Sequence, residues 1–228
     1  MINIRADDAI NKANKLYKKG NLDEATLIYN SVLKAFPHNI RAHNGLSLIS
    51  NKESINKKKY LPDKNLKELT NLYNNQNFIE AMDYGIKLTE EFSCGSMLFF
   101  ILGLTASSLK NIDLSIEFFN KVIQIDPNHL DAIFNLGVIS QNNSKNELAI
   151  IYYQKAYLIN KNHFFTVFNL ATCLNRISKN DKAIQMYSEC IKINPNYSDA
   201  HVNLGVLYKN KGQNQKAKAS LERAIQIN

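Results

Sequence analysis

Three asparagines, Asn135, Asn169 and Asn203, recur at one fixed interval, and the residues just before them are Phe134, Phe168 and Val202, with Phe100 one interval earlier. A side-chain amide offers both a donor and an acceptor, so a ladder of amides beside an apolar stripe is equipped for non-covalent recognition. Bond-making chemistry has no comparable constellation. Asp131, Glu147 and Asp199 stand singly at predicted helix starts, where a carboxylate favours the positive end of the helix dipole. There is no Gly-rich phosphate loop and no Ser/His/Asp or Cys/His spacing, so the sequence predicts no catalytic residue, no cofactor and no enzyme.

The sulfur and imidazole groups read as packing. Three cysteines, an odd number, argue against a disulfide framework. Cys190 stands in the column of Ala156 and Ala224, and Cys173 lies beside Leu174 in a predicted helix, so both are expected to be small buried residues. Cys94 falls in a predicted turn, Phe92-Ser93-Cys94-Gly95, and is expected to be exposed. The five histidines form no ligand spacing; His129 and His163 occupy equivalent inter-unit loops.

The ladder implies an underlying period, and the period holds in several columns. Leu102-Gly103, Leu136-Gly137, Leu170-Ala171 and Leu204-Gly205 are followed, half a period after the Leu, by Phe119, Tyr153, Tyr187 and Leu221. Small residues run through Ala81, Ser115, Ala149, Ala183 and Ala217, with Ala25 further upstream, and Pro37, Pro127 and Pro195 close three units. Helical spacing over Leu130–Asn143 and again over Glu147–Ile159 predicts two helices per period. Gly at the contact of the first helix admits a close neighbour, and the aromatic of the second fills the space beside it. Such units cannot bury their apolar faces alone and must stack.

At these residues the chain resembles the tetratricopeptide repeat family. The resemblance implies an all-α fold, a right-handed α-solenoid of stacked antiparallel helix pairs, with units at 6–39, 62–95, 96–129, 130–163, 164–197 and 198–228. Departures are Lys161 and Ser93 for the closing Pro, Ser115 for Ala, and Phe99, Ile133, Val167 or His201 for the frequent early Trp. Unit 62–95 is the least regular, because Gly85 replaces its aromatic.

In this family the first helix of each pair lines a concave groove that holds a peptide or protein partner. Carried onto this sequence, the groove residues are Phe100, Phe134, Asn135, Phe168, Asn169, Val202 and Asn203, and the Asn ladder would meet a partner's backbone. The same column can instead bond within its helix or to a neighbour, and the phenylalanines can pack between helices. Chaperone-binding members grip a carboxylate with inward Lys side chains; here those places hold Phe100, Phe134 and Phe168, so an apolar or backbone-held partner is expected. Leu66, Leu69, Leu72, Tyr73 and Glu80-Ala81 also resemble the opening of repeat arrays that precede bacterial glycosyl-, sulfo- and methyltransferase domains. That gives the alternative reading, a substrate-presenting arm of a larger transferase. No capping helix is visible after Asn228, which makes self-association through the last unit a further expectation.

Net charge is +8, divided as +6 over 1–61, −2 over 62–204 and +4 over 205–228. With 4 Arg against 24 Lys and no basic groove with interleaved aromatics, nucleic acid is not an expected partner. No run of about 18 apolar residues exists and Met1–Asp8 lacks a signal-type stretch, so membrane insertion is not expected and the default location is cytoplasmic. Residues 40–50 read as one further helix, with Leu46, Leu48 and Ile49 needing burial, and 51–61 as a Lys-rich solvated linker around Lys57-Lys58-Lys59. Whether 1–61 continues the stack of 62–228 rests on that helix; continuity is the expectation.

Overall fold

The computed structural model describes residues 6–57 and 59–227, and the side chains of 51–57 and 59 lie outside the description. Contacts divide the chain into two compact units, Met1–Leu61 with Thr89–Ser93, and Pro62–Leu88 with Cys94–Asn228.

The first unit contains α1 (Ala6–Lys19), α2 (Leu22–Ala35) and α3 (Ile40–Lys57), followed by the two-residue strands β1 (Lys59–Tyr60) and β2 (Phe92–Ser93), paired in parallel. Ile10, Ala13, Ala25, Tyr29, Val32, Ala42 and Ile49 form its core. Helix α3 runs through residues 51–57, where the sequence predicts a linker; its run of polar residues carries no apolar period, but it has no Pro or Gly to stop the helix. Lys58 and the lysine side chains beside it lie outside the described residues, and with them the expected solvated run. Of the three residues expected to need burial, Ile49 is buried and Leu46 half-buried, whereas Leu48 is exposed.

The second unit is a stack of helix pairs: α4 (Asp63–Asn74) with α5 (Phe78–Glu91), α6 (Ser96–Ser108) with α7 (Ile112–Ile125), α8 (Leu130–Asn142) with α9 (Asn146–Ile159), α10 (Phe164–Arg176) with α11 (Asn180–Ile193), and α12 (Ser198–Asn210) with α13 (Asn214–Ile227). The fold is an all-α solenoid. Its core repeats with the period of the sequence: Ala149 and Ala183 lie at 0% exposure, and Phe119, Tyr153 and Tyr187 at 0 or 1%. The Tyr hydroxyls are satisfied by the first helix of the same pair, Tyr153 donating to Gln141 Oε1 at 2.8 Å and Tyr187 meeting Thr172 Oγ1 at 3.0 Å. Each departure from the repeat has a local solution. Ser115 donates to the Gly103 carbonyl at 2.9 Å, so its hydroxyl is tolerated in a buried column. At Gly85 the space of the missing ring is taken by Leu102, which would stand 2.5 Å from an added Cβ.

The turns repeat as well. Gln76, Lys110, Ser144, Ser178 and Gly212, one to each unit at the same place in the period, all have positive φ, as does Gly20 in the first unit. After each, the next N–H reaches back to the carbonyl five residues earlier, as in Lys145 N to Ser140 O at 2.9 Å, which closes the first helix of every unit in the same way. Between units, Asp126, Asn160 and Asn194 accept from the N–H two residues on, at 3.1, 2.9 and 3.2 Å. This side-chain turn holds where Lys161 replaces the closing Pro.

Candidate recognition face

The first helices α4, α6, α8, α10 and α12 place the expected site residues at one register. Positions two, five and nine of these helices lie on one face, because spacings of three and four residues return to the same side of a helix. On α6 they are Met97, Phe100 and Leu104; on α8, Asp131, Phe134 and Val138; on α10, Phe165, Phe168 and Thr172; on α12, Asp199, Val202 and Val206. Four of the apolar ones are open to solvent: Met97 at 51%, Phe165 at 56%, Val202 at 38% and Val206 at 45%. Between α4 and α6 the same face deepens into a cleft of about 460 Å³, walled by Leu66, Thr70 and Tyr73 on one side and Met97, Phe100 and Leu104 on the other.

The three phenylalanines are half-buried and held from two sides. Phe100 packs on Phe119 at 5.8 Å and His129 at 4.8 Å, Phe134 on Tyr153 at 5.8 Å and His163 at 5.1 Å, and Phe168 on Tyr187 at 5.8 Å and Tyr197 at 5.0 Å. In each case the first partner belongs to the paired helix and the second to the loop that opens the next pair. One edge of each phenylalanine therefore fixes the pairing of helices, and the other remains at the face. At Val202 the corresponding residue of the paired helix is Leu221 rather than an aromatic.

The asparagines are partly committed. Asn135 donates through Nδ2 to the Asp131 carbonyl of its own helix at 2.7 Å, and Asn169 hydrogen-bonds the hydroxyl of the preceding pair's Tyr153. Burial is the main cause that drives the Tyr153 hydroxyl well above its ordinary range, with the Asn169 bond opposing it. An amide that spends one group on the protein keeps the other for a ligand. Asp131 and Asp199 lie in the first turns of α8 and α12, and Glu147 in that of α9, as the dipole argument expects.

His129 caps α8, its Nδ1 accepting from Ala132 N–H at 3.3 Å, and His163 pairs with Thr166 Oγ1 at 2.6 Å, so both repeat-related imidazoles are structural. Cys173 and Cys190 are fully buried, which pushes their thiols up to about 11 and about 12; Cys94 is half-buried rather than exposed, its Sγ 3.7 Å from the Leu88 carbonyl. Among the described residues no group of three or more His, Cys, Asp and Glu is placed to hold a metal ion, and no helix is long and apolar enough to cross a membrane. Leu66, Tyr73, Met97, Leu104, Phe165 and Val206 were not among the expected site residues; the register of Phe100, Phe168 and Val202, extended three residues back and four on, would have found Met97, Leu104, Phe165 and Val206, and one period back from Phe100 would have found Leu66, whereas Tyr73 follows no such step.

Comparison with curated protein sequences returns no match. Among solved structures the chain is similar to MamA, at 20% identity and a TM-score of 0.55 over 94% of this chain and 93% of that one. It is similar also to YrrB, described as a TPR protein with an unusual peptide-binding site, at 23% identity and a TM-score of 0.64 over 72% of this chain and 84% of that one. A third is MamA from Desulfovibrio magneticus RS-1, at 14% identity and a TM-score of 0.66 over 72% of this chain and 93% of that one. These likenesses are likenesses of fold. Two models described as tetratricopeptide repeat match residues 98–129, 130–163 and 166–197, and 186–219. Together they cover more than half of the sequence, the first three matches each spanning one helix pair, and the chain belongs to the tetratricopeptide repeat family.

Proposed function

We propose that this protein is a non-catalytic interaction module whose first-helix face in the second unit binds a peptide or protein segment. The observation that carries this reading is the apolar row Phe100, Phe134, Phe168 and Val202 at position five of successive first helices, flanked by the exposed Met97, Phe165 and Val206, with a cleft opening between α4 and α6. Exposed apolar residues in one continuous row mark an interaction surface, whereas scattered ones do not. The peptide-binding description of YrrB, a structure of the same fold, supports the class of partner. Phe100, Phe134, Phe168 and Val202 supply the floor, Asn135 and Asn169 supply the amide groups left over from their internal bonds, and Asn203 supplies a third amide in the same column. A partner with apolar side chains and a backbone free to hydrogen-bond fits this face.

The test is a pull-down from the source lysate followed by titration calorimetry on the captured partner. Phe165→Ala with Val206→Ala should weaken binding at least tenfold and leave the melting temperature within a degree or two. Full affinity in that variant would remove the first-helix face as the site.

A further inference from the structure

We infer that a hollow bounded by α11, α12 and α13, away from the recognition face, binds a small molecule carrying an anionic group on an apolar body. The repeat itself points there. The column of Ser220 is Tyr84, Phe118, Tyr152 and Met186 in the preceding units, each a bulky residue. Phe118 is buried, and Tyr152 and Met186 pack against the core. At Ser220 that bulk is absent, Ala219 beside it replaces Gln185, and a hollow of about 400 Å³ opens.

Two further columns change character at the same place. His201 stands where the earlier units have Phe99, Ile133 and Val167, and Tyr208 where they have Ala106, Ser140 and Leu174. Both line the hollow. His201 is itself held, with Nε2 at 2.9 Å from the Pro195 carbonyl, so it shapes the wall. Departures at columns four, eleven and twenty-three thus converge on one cavity, while the columns of the stacking core, Ala217 and Ala224, stay intact and buried.

Charge then selects the ligand. Lys216 and Arg223 line the hollow and no carboxylate does. Lys216 Nζ lies over the Tyr208 ring, 5.5 Å from its centroid, and Arg223 reaches only neutral amides, Asn196 Oδ1 at 3.0 Å and Gln226 Oε1 at 3.4 Å. Neither cation has an ion-pair partner among the described residues. A guanidinium has five N–H donors, so most of those on Arg223 are uncommitted. Facing them, Ile191, Leu204 and the Tyr208 ring give an apolar wall. A carboxylate or phosphate joined to an aromatic or aliphatic body matches both halves.

Phenyl phosphate, benzoate and inorganic phosphate, titrated into the full chain while amide shifts of Leu204, Ala219 and Ser220 are followed, test this. Phenyl phosphate or benzoate should shift these amides saturably, the first arm identifying a phosphate site and the second a carboxylate site. Inorganic phosphate should bind at least tenfold more weakly. Arg223→Gln should weaken binding at least tenfold, and Ser220→Met, which restores the residue of the preceding unit and so keeps the fold, should abolish it. The proposal is overturned if neither organic probe shifts the amides, if inorganic phosphate binds as tightly as they do, or if either variant retains wild-type affinity; the hollow is then only a solvated gap in an atypical repeat.

Discussion

The ring of Tyr153 lies directly against Gly137: a Cβ built on that glycine would stand 2.5 Å from Tyr153 Cε1 and 2.8 Å from Cδ1. The same relation joins Gly103 to Phe119 and Gly205 to Leu221, so the interval between first and second helix is set by a missing side chain. Ala171 stands in the same column, with Tyr187 as its ring, and both are buried, so one methyl is accommodated there. A larger group has nowhere to go. Gly137→Leu should therefore destabilise by about 1–3 kcal/mol through overpacking, and equal denaturation midpoints for the two proteins would contradict the assignment.

The turn column provides an opposite test, in which substitution stabilises. Lys110, Ser144 and Ser178 hold the left-handed conformation that Gly212 holds without cost to a Cβ. Ser144→Gly should raise stability by about 0.5–1 kcal/mol, the relief of left-handed strain less the greater entropy of an unfolded glycine. Gly212→Ala should lower it by a similar amount. Urea melts of both variants give the comparison, and the same sign for both would refute the argument.

Buried thiols make the fold sensitive to alkali. Burial pushes Cys173 up to about 11 and Cys190 to about 12, from an ordinary 9.0. Well below pH 9 both are protonated in folded and unfolded chains alike, so they give stability no slope there. Between pH 9 and about 11–12 the unfolded chain releases protons that the native state holds, and stability falls as pH rises. The raised hydroxyls of Tyr153 and Tyr187 extend the fall above pH 10. Melting temperatures should be flat from pH 7 to 8.5 and drop beyond 9, less steeply in Cys190→Ala, which places the column's usual alanine there.

Phe134 and Phe165 separate structure from recognition. Phe134 is wedged between Tyr153 and His163, so Phe134→Ala should cost about 1–3 kcal/mol of stability. Phe165 is largely exposed, and its loss should change stability by less than about 0.5 kcal/mol. Thermal melts of the two variants decide this before any partner is known; a larger drop for Phe165→Ala would mean that its ring is part of the core.

For the amide ladder, a net hydrogen bond contributes about 0.5–1.5 kcal/mol, so replacing Asn135, Asn169 and Asn203 together by Ala should weaken partner binding by about 1.5–4.5 kcal/mol with helical content intact. Because Asn169 bonds Tyr153, that residue alone should also lower the melting temperature. Unchanged affinity in the triple variant would make the ladder purely structural.

The repeat columns by themselves determined the helix pairs, the Gly–aromatic contact and the burial of Cys173 and Cys190, because a packing rule obeyed in every unit is written into the sequence once per unit. Where that rule lapses, sequence alone decides little. Residues 51–57 carry no apolar period, and only the backbone shows that α3 continues through them. The left-handed turn column is not legible in the sequence because Gln, Lys and Ser fill it as well as Gly, the hydrogen bonds around the turn fixing what residue type does not. For the face, periodicity placed Phe100, Phe134, Phe168 and Val202 at one register, but how each ring divides between its neighbours and solvent depends on residues of the paired helix and of the next unit's opening loop. The hollow around Ser220 is the clearest case: each exchange is unremarkable in one dimension, and only the stacking of α11, α12 and α13 brings them to the same place, since proximity between columns is a property of packed helices and not of the chain.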